Sequence, residues 1–139
     1  MFRQGALLLA TTVLCACNES TPVSNATHTL TLEVAASQTK GDVYVELYQG
    51  ETSIETRWLN QAALNQPVVF SDVKQGEYAI MVYQDVDGNH ELTMSGPIPQ
   101  EPLGYSNNPR LMGPPSFALV SFAVKKDSTQ KITLLDYRS

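Results

Sequence analysis

Glu77-Tyr78-Ala79-Ile80-Met81-Val82-Tyr83 is the stretch that decides the fold. It is dense in β-branched and aromatic side chains and reads as a central β-strand. Lys74-Gln75-Gly76 just before it reads as a turn, and Pro67-Val68-Val69-Phe70 starts another strand. Farther upstream, Val43-Tyr44-Val45-Glu46-Leu47-Tyr48 alternates apolar and polar after the break at Gly41-Asp42. Thr29-Leu30-Thr31-Leu32-Glu33-Val34 does the same, with Leu30, Leu32 and Val34 facing inward. Ile54 to Leu59 is a weaker strand, broken by charges. Downstream, Phe117 to Val124 and Lys131 to Leu135 close the chain, with a turn over Lys125–Thr129. About seven short strands, turn signals between them and almost no helical periodicity predict an all-β, antiparallel β-sandwich.

One segment stands outside that pattern. Asp85 to Ser116 carries no strand or helix signal and holds Pro97, Pro99, Pro102, Pro109, Pro114 and Pro115. A structureless loop of this length in a compact domain is usually functional or disordered. Its regular polar spacing predicts an ordered, proline-rich functional loop.

That spacing is Asp85-Val86-Asp87-Gly88-Asn89-His90-Glu91-Leu92-Thr93. Asp85, Asp87 and Asn89 place an oxygen at every second residue, and Gly88 permits a tight turn. Calcium takes six to eight oxygens, so a loop that wraps this way suits it. Glu91 would add its backbone carbonyl, Thr93 a hydroxyl or a bridging water, and Glu101 a carboxylate from farther along. The first half of an EF-hand loop has this spacing, but His90 stands at its sixth place and Gly96 at its twelfth, with no flanking helical pattern. The expectation is a strand-borne calcium loop of similar local shape, with affinity on the order of 10⁻⁴–10⁻³ M. The alternative is a solvated turn, for which Asp, Gly and Asn are equally suited. His90 is expected to be exposed, because oxygen-rich sites do not seek imidazole.

At the other end, Met1-Phe2-Arg3-Gln4 carries one basic side chain, an uncharged apolar run extends from Gly5 to Ala16, and polarity begins at Asn18. These are the parts of a secretory signal, far shorter than the ~20 residues of a membrane-spanning helix. Leu14-Cys15-Ala16-Cys17 resembles the lipobox of bacterial lipoproteins. Cleavage before Cys17 would leave that thiol to carry acyl chains, enough for stable membrane anchoring. An Asp after the cysteine resembles an inner-membrane retention signal in Gram-negative bacteria; Asn18 points instead to the outer membrane, on its periplasmic or surface face. The domain plan is a signal over 1–16, the lipidated Cys17 with a polar tether to 27, and one domain over 28–139.

Removing the signal moves the net charge from -5 to about -6, since Arg3 is lost. No basic cluster follows, so nucleic-acid binding has no electrostatic footprint. Cys17 is then the only cysteine, which excludes an intrachain disulfide.

Phe70-Ser71-Asp72-Val73-Lys74-Gln75-Gly76-Glu77-Tyr78-Ala79-Ile80, then Asp85-Val86-Asp87-Gly88-Asn89 with Leu92, then Gly96-Pro97-Ile98-Pro99-Gln100-Glu101, Gly104-Tyr105-Ser106-Asn107-Asn108 and Gly113-Pro114-Pro115-Ser116-Phe117 follow in a specific order. In this order and spacing they resemble domain of unknown function family 2141. The resemblance implies that Phe70–Ile80 is a hairpin. It also implies an exported β-sandwich like transthyretin (prealbumin) and carboxypeptidase-regulatory modules, an Ig-like architecture without an established activity. The chain departs from the family at Thr93, where Asp is usual, and at Gln84, where His is common. The missing carboxylate at Thr93 weakens or loosens the metal site.

Tyr105, Asn107 and Asn108 allow two readings. Tyr105 could be an aromatic platform and the two asparagines hydrogen-bond donors to a glycan or peptide. Alternatively, they pin the long loop to the sheet. Little points to catalysis. Ser106, His90 and Asp85 could be drawn as a triad, but no Gly-x-Ser-x-Gly elbow is present. Asp85 and Glu101 could pair as in glycoside hydrolysis, though small acidic proteins commonly offer such pairs. Trp58 is expected to pack between strands rather than serve as a sugar platform. The leading expectation is a lipid-anchored, non-catalytic envelope module that binds a protein or polysaccharide and has a calcium-stabilised loop. The alternatives are a metal-free structural accessory domain and an envelope hydrolase.

Overall fold

The structure, a computed structural model, describes residues 25–36, 38 and 40–138. The signal over 1–16, Cys17 and most of the tether lie outside the described residues. The first strand begins at Thr27, one residue inside the expected tether.

The protein is mostly β, in several sheets, none closed. β1 (Thr27–Ala35), β4 (Val68–Lys74) and β10 (Ser128–Thr133) form a three-stranded sheet in the order β10-β1-β4. β2 (Asp42–Gln49), β3 (Thr52–Leu59), β5 (Gly76–Asp85), β8 (Leu103–Tyr105) and β9 (Phe122–Val124) form the second, in the order β3-β2-β5. β8 and β9 share the far border of β5, opposite Met81–Tyr83 and Gly76–Tyr78 respectively. β6 (Met94–Ser95) and β7 (Ile98–Pro99) make a two-residue ribbon.

The period-two pattern acts as expected. Leu30 and Leu32 of β1, Val43, Val45 and Leu47 of β2, and Tyr78, Ile80 and Val82 of β5 point into one apolar core. Phe70 of β4, Val124 of β9 and Ile132 of β10 complete it, so both sheets share that core. β5 also buries Ala79 and Tyr83 on its opposite face, which is why its sequence shows so little polar alternation. The charges that interrupt β3 fit an edge strand: Arg57 bonds Glu55 beside it and donates to the Val69 carbonyl oxygen at 2.8 Å.

Five expectations are corrected. The Lys74-Gln75-Gly76 turn does not make a hairpin. β4 pairs with β1 and β5 with β2, so the chain turns a corner between sheets, and the Tyr78 hydroxyl ties it by donating to Lys74 O at 2.8 Å. β1 and β10 run parallel, so the pairing is not antiparallel throughout. Phe117–Val120 is a helical turn, α1, and only Phe122–Val124 is strand; a short apolar run fits either state. Finally, the long loop re-enters the sheet as β8. Its central Gly104 is required there: a Cβ would lie 2.8 Å from Ile132 Cγ2 and 2.9 Å from the Thr133 carbonyl oxygen. With these short pieces, the described strands number ten rather than about seven.

Candidate functional site

β5 delivers Asp85, buried at its last position, to the mouth of the long loop. The loop then winds tightly about that carboxylate. Asp85 Oδ1 accepts from the amides of Gly88 at 2.8 Å and Asn89 at 3.2 Å, and Oδ2 accepts from His90 at 3.0 Å. Such bonds between an Asp and its own following backbone are the reason Asp initiates turns. Gly88 (φ 75°) and His90 (φ 60°) both take left-handed backbone, so the EF-hand's sixth-place conformation is present without its glycine.

Asp87 and Thr93 brace this turn. Asp87 Oδ1 accepts from the Asn89 amide at 3.1 Å, and Oδ2 accepts the Thr93 hydroxyl at 2.9 Å. Asn89 donates from its side chain to Thr93 Oγ1 at 2.8 Å and accepts the Glu91 amide at 2.9 Å. Thr93 is therefore a strut to Asp87 in this structure. Glu91 is exposed, with its amide tied to Asn89.

Glu101 closes the site from the far side of the β6–β7 ribbon. It is buried, and its carboxylate accepts amides from Val86 at 3.0 Å, Asp87 at 3.5 Å and Thr93 at 3.2 Å. One carboxylate oxygen from each of Asp85, Asp87 and Glu101 lies within 4.8 Å of the others. A cleft of about 290 Å³ opens beside Asp85 and Asp87, lined also by Lys40, Gly41, Asp42 and His90. Three anionic oxygens in an all-oxygen shell fit a hard divalent cation and not a soft metal. Asn89 and the Glu91 carbonyl stand on the same turn as further oxygen donors.

The carboxylates titrate in opposite directions. Burial pushes Glu101 up, with the Asp87 charge adding to it against its amide bonds. Asp87 is held down, first by the Thr93 hydroxyl and then by the Asn89 amide. A cation between them would offset the smaller, like-charge part of the rise at Glu101, which burial dominates.

Tyr105, Asn107 and Asn108 each have different neighbours. Tyr105 lines a cleft of about 350 Å³ with Tyr48, Met81 and Phe117. Asn107 donates to Ser121 O at 2.8 Å. Asn108 donates to Lys131 O and accepts from the Thr133 amide, both at 2.8 Å. Both asparagines take positive φ, at 67° and 47°. Ser106, fully buried, accepts the Ile80 amide at 2.9 Å and donates to the Val120 carbonyl, while His90 packs edge-on against Trp58 with ring centroids 4.9 Å apart.

Two features escaped the sequence reading. Gln84, fully buried, donates to the carbonyls of Gln38, Lys40 and Gly41 and so staples the β1–β2 connection beside the acidic cleft. Trp58, Tyr44 and Tyr83 form a row on the outer face of the second sheet, with centroids 5.0 and 5.1 Å apart for neighbours. Register could have found that row, since Trp58, Tyr44 and Tyr83 are directly opposed across three strands. The Gln84 staple depends on tertiary folding alone and leaves no spacing in sequence.

Residues 34–133 match a family model described as uncharacterized protein conserved in bacteria (DUF2141). No curated protein and no solved structure matches the chain.

Proposed function

The chain belongs to this family of uncharacterized proteins conserved in bacteria, DUF2141, and we propose that it is a non-catalytic binding module of the cell envelope whose long loop is pinned by calcium. The observation that carries the reading is the meeting of Asp85, Asp87 and Glu101, with oxygens within 4.8 Å of one another. These residues come from both ends of the segment that bears the β6–β7 ribbon. A cation held by all three fastens that segment at its base. Asp85, Asp87 and Glu101 would be direct ligands, Asn89 and the Glu91 carbonyl would extend the shell, and Thr93 would orient Asp87.

In this reading, Cys17 carries the lipid and Asn18 directs the protein to the outer membrane. The sheets form a transthyretin-like sandwich that displays the ordered loop to an envelope protein or polysaccharide. Tyr105 is the ligand-facing member of the expected trio, because it lines the cleft with Tyr48 while Asn107 and Asn108 bond backbone. A second reading, a metal-free accessory domain, is favoured by the amides that already saturate much of the carboxylate surface.

Melting of the metal-stripped protein against calcium, with magnesium as control, separates the two. A cation that binds only the folded state stabilises it by about 2.7 kcal/mol at a hundredfold excess over its dissociation constant. The calcium reading expects a rise of several degrees that is absent in Asp85→Ala/Asp87→Ala. An unchanged melting temperature at about ten millimolar calcium, above the expected affinity of such loops, leaves the metal-free domain.

A further inference from the structure

Sheet borders expose unpaired backbone groups, and proteins cover or block them. Among the described residues, other groups meet three borders of the two larger sheets, that of β4 at a single carbonyl. On β10, Asn108 bonds Lys131 O and the Thr133 amide and takes the place of a neighbouring strand. On β4, Arg57 bonds the Val69 carbonyl and lies over the Phe70 ring at 4.5 Å. Beyond β5, β8 and β9 are in place, and β8 exchanges backbone bonds with Leu135 at 2.9 and 3.0 Å. β3 is different: it is the end strand, paired with β2 alone, and no other segment or side chain bonds its free border among the described residues. It also exposes two large apolar side chains, Ile54 at 48% and Trp58 at 41%.

We propose that this border is a self-association surface, on which β3 of two copies of this chain pair antiparallel about a twofold axis at Thr56. The order Ile54-Glu55-Thr56-Arg57-Trp58 is self-complementary about that centre. It sets Glu55 of each copy opposite Arg57 of the other and brings Trp58 of each beside Ile54, the extra residue where β3 bulges between Ser53 and Glu55. Directly opposed residues of an antiparallel pair share a face, where opposite charges and aromatic–aliphatic pairs stabilise. The faces agree: Trp58 and Thr56 oppose Tyr44 and Glu46 of β2 on the outer side, while Glu55 and Arg57 oppose Leu47 and Val45 on the inner side. A one-residue slip would set Trp58 against Glu55 and mix the two faces. Within the chain, Arg57 engages Glu55 through Oε1 alone, which leaves Oε2 for Arg57 of the second copy. Both apolar side chains lose water in the pair, and the two five-stranded sheets become one. A single strand from each copy makes a small interface, at the weak and transient end of the range.

Sedimentation of the full chain with Cys15→Ser/Cys17→Ser tests this over about ten to several hundred micromolar, the range of weak complexes. The proposal expects a monomer–dimer equilibrium. Glu55→Arg, at a surface position, sets Arg opposite Arg and weakens the dimer by about tenfold, while its circular dichroism matches the parent. Register is read by single cysteines under mild oxidation. Thr56→Cys lies on the axis, within disulfide reach of its own copy, and cross-links. Thr52→Cys is separated from its copy by roughly eight residues of strand, about 26 Å, beyond the ~7 Å limit for a disulfide, and does not. A monomer throughout the range, or cross-linking at Thr52→Cys equal to that at Thr56→Cys, overturns the proposal.

Discussion

Glu101 and Asp87 show how neighbouring carboxylates acquire different roles. Burial raises Glu101 above its ordinary value of 4.5, so in cation-free protein its ionisation opposes folding. Its favourable contribution is fully present below pH 4.5 and is lost as pH rises through the raised value. Asp87, lowered first by Thr93, works in the opposite sense: its contribution is present above 3.8 and lost as pH falls through its depressed value. In the proposed site, calcium needs both ionised. Its stabilisation should therefore fade on acidification as Glu101 takes its proton, above pH 4.5, while Asp87 is still charged; melting with and without calcium between pH 7 and pH 4 measures it. Glu101→Gln should abolish the calcium response altogether. Ser106 is a purely structural counterpart. Ser106→Ala strands the Ile80 amide and the Val120 carbonyl in the interior, and should cost about 1–3 kcal/mol in denaturant unfolding without changing calcium affinity.

At the scale of elements, legibility followed periodicity. β1, β2 and β5 were readable because Leu30/Leu32, Val43/Val45/Leu47 and Ile80/Val82 repeat every second residue against a common core. β8 was not, because three residues centred on glycine carry no period. What makes it a strand is the absence of a side chain at Gly104, which lets it lie against Ile132 and Thr133. Gly104→Ala should therefore lever β8 away and lower stability by about 1–3 kcal/mol, the usual overpacking cost. Gly41 plays a similar part at the acidic cleft: its φ is 116° and a Cβ would lie 2.5 Å from the Asp85 carbonyl oxygen. Gly41→Ala should displace the end of β5 that presents Asp85, and weaken calcium binding as well as the fold. The Asp85–Asn89 turn was legible from its spacing, and Glu101 from its place in the same loop. Thr93 as a strut was not, because only the folded loop puts its hydroxyl beside Asp87.

For the whole molecule, the corner at Gln75 and the parallel β1–β10 pair set the two sheets on one core. The end of β5, with Asp85, lies at one rim of that arrangement. The loop that leaves there must return as β8 to complete the second sheet, and Glu101 stands just before the return. The site thus sits where the chain most needs fastening. In the proposed reading, one cation joins Asp85, Asp87 and Glu101 there. Backbone hydrogen exchange, residue by residue, with and without saturating calcium, tests this most directly. Exchange at Gly88, Asn89, His90 and Thr93 should slow by about a hundredfold at a hundredfold excess over the dissociation constant, while Tyr44 and Val45 in β2 change no more than global stability requires. Equal exchange rates in the loop with and without calcium would contradict it.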